Sequence, residues 1–171
     1  MTMPKRFVSA AAVTGIVFVL AGILGASAPG DAENALAVTK QAWEVEFQKL
    51  KPEKWVDFYA DDAVIEDLGA GDAGKKVHGR AEILAWFKQV AASWPDSTYH
   101  PVRILQQGNS TVIEWHWVGR QKQPFLGAPA TEKSVNLRGI TIWDFENGKV
   151  KREVSLYNFA TIRAQLEEAR Q

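Results

Sequence analysis

The 171-residue chain has no cysteine. That excludes a disulfide scaffold, a thiolate zinc site, a thiol nucleophile and a lipid-modified cysteine. It also lacks an excess of either charge, with 20 Lys and Arg against 20 Asp and Glu. A nucleic-acid binder carries a basic excess or stripe, and a polybasic membrane-surface domain carries basic clusters. No nucleic-acid partner is therefore expected. Histidine is scarce. His78, His100 and His116 are far apart and match neither H-x-x-x-H nor H-E-x-x-H spacing, so no metal site is expected. There is no nucleophile elbow, no internal repeat and no low-complexity tract.

Charge is missing most of all at the start. Residues 1–30 hold only Lys5 and Arg6, and nothing from Phe7 to Gly30 is charged. The basic pair, the apolar run Phe7–Leu24 and the tripeptide Ala26-Ser27-Ala28 have the layout of a secretory signal peptide. The run is also just long enough to span a bilayer, and Pro29 follows the tripeptide directly, where proline hinders cleavage. Residues 1–32 are thus read as a signal peptide or a retained N-terminal anchor. Both readings export the remainder, since basic residues stay on the cytoplasmic side, and both confine any membrane contact to this segment. Residues 33–171 form one domain, close to neutral and large enough to stand without staples. What the domain has in plenty is tryptophan: all seven lie beyond residue 30.

The periodicity predicts helices first, then strands. Residues 33–50 place Leu36, Trp43, Phe47 and Leu50 at helical spacing. Pro52 opens a second helix, PEKWVDFYA, which carries Trp55 and Tyr59 four apart. Residues 63–67 (AVIED) read as a strand, with Asp61 and Asp62 as solvated turn residues before it. Residues 69–76 read as a glycine-rich loop, and 79–94 as a third helix ended by Pro95. From there the period is two: 99–107, 110–121, 132–145 and 149–159 read as strands. Gly108-Asn109 and Asn147-Gly148 are the turn dipeptides between them. A short helix over 161–170 ends the chain. The expected architecture is α+β: a curved, mostly antiparallel sheet wrapped around N-terminal helices as a cone-shaped barrel, with a hydrophobic pocket on its concave face.

The loop GAGDAGKK matches two nucleotide motifs in part. Gly69, Gly71 and Gly74 fit G-x-G-x-x-G, and Gly69, Gly74 and Lys75 fit most of the P-loop. Lys76 stands where the P-loop needs a hydroxyl for magnesium, and Asp72 would place a negative charge in the phosphate cradle. The following helix starts too late for its N–H groups to face a phosphate. Both motifs are rejected, and no cofactor is expected.

Three stretches, in order, resemble the SnoaL-like polyketide cyclase and ketosteroid isomerase superfamily, with its nuclear-transport-factor-two-like fold. They are WVDFYADDAVIEDLGAG with HGRAEILAWF (residues 55–71 and 78–87), VIEWHWVGRQKQPFLGAPATEKSV (112–135) and LRGITIWDFENGKVKREVSLYNFATIRAQLE (137–167). The resemblance implies a pocket for a small apolar or carbonyl-bearing molecule. It also implies proton-transfer isomerisation, cyclisation or dehydration, and often a homodimer.

Asp67 is the candidate general base. It ends a strand at the pocket mouth, and it falls where the resembled isomerases carry their catalytic carboxylate. Such a group can abstract a proton next to a carbonyl if apolar neighbours raise its pKa. Glu66 alternates to the other face, exposed or in a structural pair. The resemblance breaks at the oxyanion hole: Trp43 stands at the first-helix tyrosine position, Thr141 at the late-strand acid, and Asn158 at a final-strand aspartate. Those departures favour the rival reading, a non-catalytic binding or dimerisation module. The expected ligand-lining set is Trp43, Phe47, Tyr59, Phe87, Trp117, Thr141, Trp143 and Asn158. Remaining indoles on the sheet's outer face are expected to serve a homodimer contact. His78 is expected to cap a helix or touch the rim, with His100 solvated and His116 on the outer face with Glu114.

Overall fold

The computed structural model describes residues 29–71 and 73–167. The leader expectation therefore falls almost wholly outside the described residues. Among these, no helix is long and apolar enough to cross a membrane.

Helix α1 (Pro29–Lys40) runs on through a π-helical segment, Gln41–Glu46, and a 3-10 turn, Phe47–Lys49. Leu50 then ends the helical run in the left-handed region, at φ 49°. A short α2 (Pro52–Trp55) begins on Pro52, whose missing N–H costs nothing in a first turn. The second helix predicted through Ala60 stops earlier. After the 3-10 turn Val56–Phe58 the chain is already extended, so Tyr59 belongs to strand β1 (Tyr59–Asp67). Asp61 and Asp62 are exposed strand residues rather than a turn. The burial of Tyr59, Ala63, Ile65 and Asp67 explains the extension. From Ala63 on, the stripe has period two and is satisfied on a sheet face, while the pairing with β6 shifts register between Tyr59 and Val64.

Strand β2 (Lys75–His78) takes the last residues of the predicted glycine loop and pairs antiparallel with β1. Helix α3 (Gly79–Ser93) follows, then β3 (Thr98–Gln107), β4 (Ser110–Arg120), β5 (Ser134–Glu146), β6 (Lys149–Tyr157) and α4 (Phe159–Glu167). The sheet order is β2-β1-β6-β5-β4-β3, antiparallel throughout except for β1 beside β6. This is the expected α+β class, with the curved sheet left unclosed between β2 and β3. The β5–β6 hairpin turns on Asn147 (φ 51°) and Gly148 (φ 72°), two consecutive positive φ values that suit Asn-Gly.

Helices cover the concave face. Helix α1 lies over β3–β5 and α3 over β1. Thr39 of α1 shares a buried 2.9 Å hydrogen bond with Thr111 of β4, which fixes helix against sheet. All seven indoles are buried, between 0 and 6% exposed. The expectation of remaining indoles on the outer face is thus corrected: Trp115 occupies an inward position of β4 beside the expected inward Trp117, as Trp143 does on β5, and each ring finds other rings.

Candidate functional site

Between helices and sheet lies a cavity of about 120 Å³. Its walls are aromatic. Trp43 stacks near Trp115 at 6.4 Å between centroids, Trp94 meets Trp117 edge-on at 5.0 Å, and Trp55 and Phe87 meet edge-on at 5.6 Å. The π-helical segment widens the turn that carries Trp43, whose ring lies 5.3 Å from that of Phe47. The indole N–H groups of Trp43 and Trp117 are buried without a hydrogen-bond acceptor; that of Trp117 faces the Tyr99 hydroxyl outside hydrogen-bond geometry.

Two carboxyls break this apolar lining. Asp67, at the end of β1, is 7% exposed. Its Oδ1 accepts from the Gly69 N–H at 3.2 Å, and its Oδ2 from the Tyr157 hydroxyl at 3.2 Å. Burial and the charge of Glu153 push its pKa up to about 7, against the pull of those donors. Glu153 is its partner across the strand pair. Asp67 is in register with Ser155, and Glu153 lies one inward step along β6. Its Oε2 accepts from the Trp143 indole at 2.7 Å and from the Tyr59 hydroxyl, and its Oε1 from the Ser155 hydroxyl at 2.9 Å. Burial raises its pKa too. The same burial, with Asp67 beside it, holds the Tyr157 hydroxyl firmly protonated.

A polar relay runs behind Glu153. The Trp115 indole donates to the Thr141 hydroxyl at 2.9 Å, which in turn meets Ser155 at 2.9 Å. An indole N–H can only donate. Thr141 therefore accepts from Trp115 and is free to donate to Ser155, whose own hydrogen goes to Glu153. Every link points toward the carboxylate, which favours its ionised form.

Seven of the nine expected site residues face the cavity: Asp67, Trp43, Phe47, Tyr59, Phe87, Trp117 and Thr141. Two do not. Trp143, 0% exposed, lies behind the wall and braces Glu153. Asn158 has left the sheet: its Oδ1 accepts from the Ala160 N–H at 2.9 Å and so caps α4. Glu66 points out, paired with Arg152 at 3.0 Å. His78 stands at the start of α3, but its side chain caps nothing; the Glu82 carboxylate accepts from its backbone N–H. His100 is exposed, and His116 faces outward onto Asn136. The glycine loop is not a free rim at its start. Gly69 rests on the Tyr157 ring, and a Cβ there would lie 2.5 Å from the ring carbon Cγ.

Sequence reasoning missed Glu153 because of a bulge. Phe145 pairs with Val150 and Asp144 with Arg152, so Lys151 has no partner on β5. Counting by twos from Val150 puts Glu153 outside. Counting back from Tyr157 through Ser155 puts it inside, where it is.

A family model described as a SnoaL-like domain matches residues 40–153. No curated protein matches the chain in sequence. Similar solved structures include a candidate polyketide cyclase from Xanthomonas campestris pv. campestris, 18% identical, covering 80% of this chain and 99% of that one, with a TM-score of 0.69. IdmH, a candidate polyketide cyclase from Streptomyces antibioticus, is 23% identical over 77% of this chain and 97% of its own, with a TM-score of 0.64. A candidate ketosteroid isomerase from Kribbella flavida is 17% identical, covering 74% and 79%, at a TM-score of 0.55.

Proposed function

The chain belongs to the SnoaL-like domain family, and we propose that its cavity binds a small carbonyl-bearing molecule on which Asp67 acts as general base. The observation that carries this reading is a carboxyl buried in an aromatic cavity with its pKa held near 7. A base poised near working pH combines a useful ionised fraction with real proton affinity. The Asp67 carboxylate takes a proton from the carbon next to the carbonyl. The C–H electron pair becomes the C=C bond of an enolate while the C=O π pair moves onto oxygen. In a β,γ-unsaturated carbonyl compound Asp67 returns the proton to the γ-carbon, which restores the C=O and shifts the C=C, an isomerisation; the abstraction alone is also the first step of a cyclisation or a dehydration.

Size narrows the ligand. Engineered cavities of about 150 Å³ take benzene, so a cavity of about 120 Å³ suits a monocyclic molecule and is too small for a tetracyclic one. Cyclohexanone is a suitable probe. Exchange of its α-hydrogens for deuterium, followed by NMR, is expected to be accelerated by the protein and to fall about 10²- to 10⁴-fold in Asp67→Asn. Unchanged exchange in that variant removes the catalytic role.

The second reading, a binding module without turnover, is favoured by one observation. The Thr141 hydroxyl, at the place of an oxyanion donor, is already engaged by Trp115 and Ser155. In that case the probe binds and does not exchange. Two further parts of the reading concern setting. Residues 1–32 export the domain, which sequencing of the mature N-terminus tests. A second copy docks on the outer sheet face, where Leu105, Val112, Ile142 and Val154 form an apolar row in register across four strands. Light scattering on Leu105→Glu tests that contact.

A further inference from the structure

The outer ion pairs use up basic side chains that the cavity never sees. The titratable groups facing the cavity are Asp67 and Tyr59 from β1, Glu153 and Tyr157 from β6, and Tyr99 from β3. The helices contribute only aromatic and aliphatic groups. Among the described residues neither acid has a basic partner within ion-pair distance. Lys75, in register with Asp67 on β2, is the base best placed to serve. Its ammonium instead sits over the ring of Trp86, 5.2 Å from the centroid, on a residue whose ring also walls the cavity. That contact is of the kind in which an aromatic face and a cation attract.

Two facing carboxyls without a base are costly to keep ionised inside a protein. The donors converging on Glu153 nevertheless favour its ionised form. Ring faces add their own negative potential around the same space. A guest that brings one positive charge neutralises one carboxylate and leaves the other to share its proton or a donor, and a compact alkylammonium group fits a cavity of about 120 Å³.

We infer that the cavity selects a ligand bearing a small alkylammonium group, held by the Glu153 and Asp67 carboxylates among the lining rings of Trp43, Trp115 and Tyr99. This rests on the cavity being the ligand site, as proposed above, and narrows the substrate class to amino-carbonyl compounds or simple amines. A neutral ketone would use the apolar walls and leave the acids uncompensated.

Isothermal titration calorimetry with choline and with its neutral isostere 3,3-dimethyl-1-butanol tests the inference. Choline is expected to bind the full chain at pH 8 at least about tenfold tighter than the isostere, and the preference should shrink as Asp67 takes up its proton below pH 7. Glu153→Gln should reduce the choline preference to near unity. Should that variant fail to fold, Asp67→Asn reads the same preference with one charge removed, and a several-fold loss is expected. Equal binding of the two probes overturns the inference, as does no binding of choline, or a preference that survives both substitutions. The two proposals fail separately. Cyclohexanone exchange without choline preference leaves the general base standing and removes the ammonium ligand. Choline selectivity without exchange does the reverse.

Discussion

The two faces of one sheet treat carboxylates in opposite ways. On the outer face nearly every acid has a base: Arg103 meets Glu114 at 3.1 Å, Arg152 meets Glu66 and Asp144 at 3.0 and 3.3 Å, and Lys151 lies between Asp62 and Glu146. On the inner face Asp67 and Glu153 have only hydroxyls, an indole and a backbone N–H. The strands are the same and the residues alternate. Outside, water already solvates each charge, and a pair contributes little. Inside, each charge is expensive, and its persistence points to a task other than holding the fold together.

The largest test of that contrast is chemical, the loss of α-hydrogen exchange in Asp67→Asn. The next is pH-dependent stability. The folded pKa of Asp67, about 7, lies above its ordinary 3.8. The folded state therefore holds a proton that the unfolded state has released. This contribution is fully present below pH 4 and is lost as pH rises through 7, by up to about 4 kcal/mol. Glu153 acts in the same direction. Urea denaturation should show Asp67→Asn gaining on the parent between pH 5 and pH 8; a difference independent of pH would refute the buried-acid picture. Third, Gly69→Ala drives a methyl into the Tyr157 ring. It is expected to cost about 1–3 kcal/mol as overpacking and to disturb Asp67 through both of its donors, so stability and exchange should fall together. Smallest is Arg152→Ala on the outer face. Removing two exposed ion pairs should cost less than about 1 kcal/mol and fade further in salt, measured by the same denaturation at low and high ionic strength.

Much of this was legible in the chain. The α+β order, the hairpin turns and the inward set of β4 follow from period two and from Asn-Gly chemistry. Asp67 was legible because it ends the expected strand 63–67 beside the glycine loop, where the resembled isomerases carry their base, and the last five residues of β1 alternate. Glu153 was not, because one unpaired residue, Lys151, reverses the parity of β6 between its hairpin end and its site end. Tyr59 was placed on a helix because Trp55 and Tyr59 also satisfy a four-residue spacing, and only the sheet face beyond them decides between the two periods. Asn158 was read as a strand residue, yet its short side chain serves the first N–H groups of α4, a competition that local chemistry often wins. Trp115 alternates with His116 as Trp117 does, so period two already places it inward; the expectation of an outer-face indole rests on the surplus of tryptophan, which the core absorbs.

The burial of every indole has an optical consequence. Six of the seven line the cavity and none lies in water. The chain's ultraviolet emission therefore comes from shielded rings grouped around one small space, several within energy-transfer reach of each other. A guest entering that space touches many emitters at once and is reported without any label. Light itself becomes the assay for occupancy.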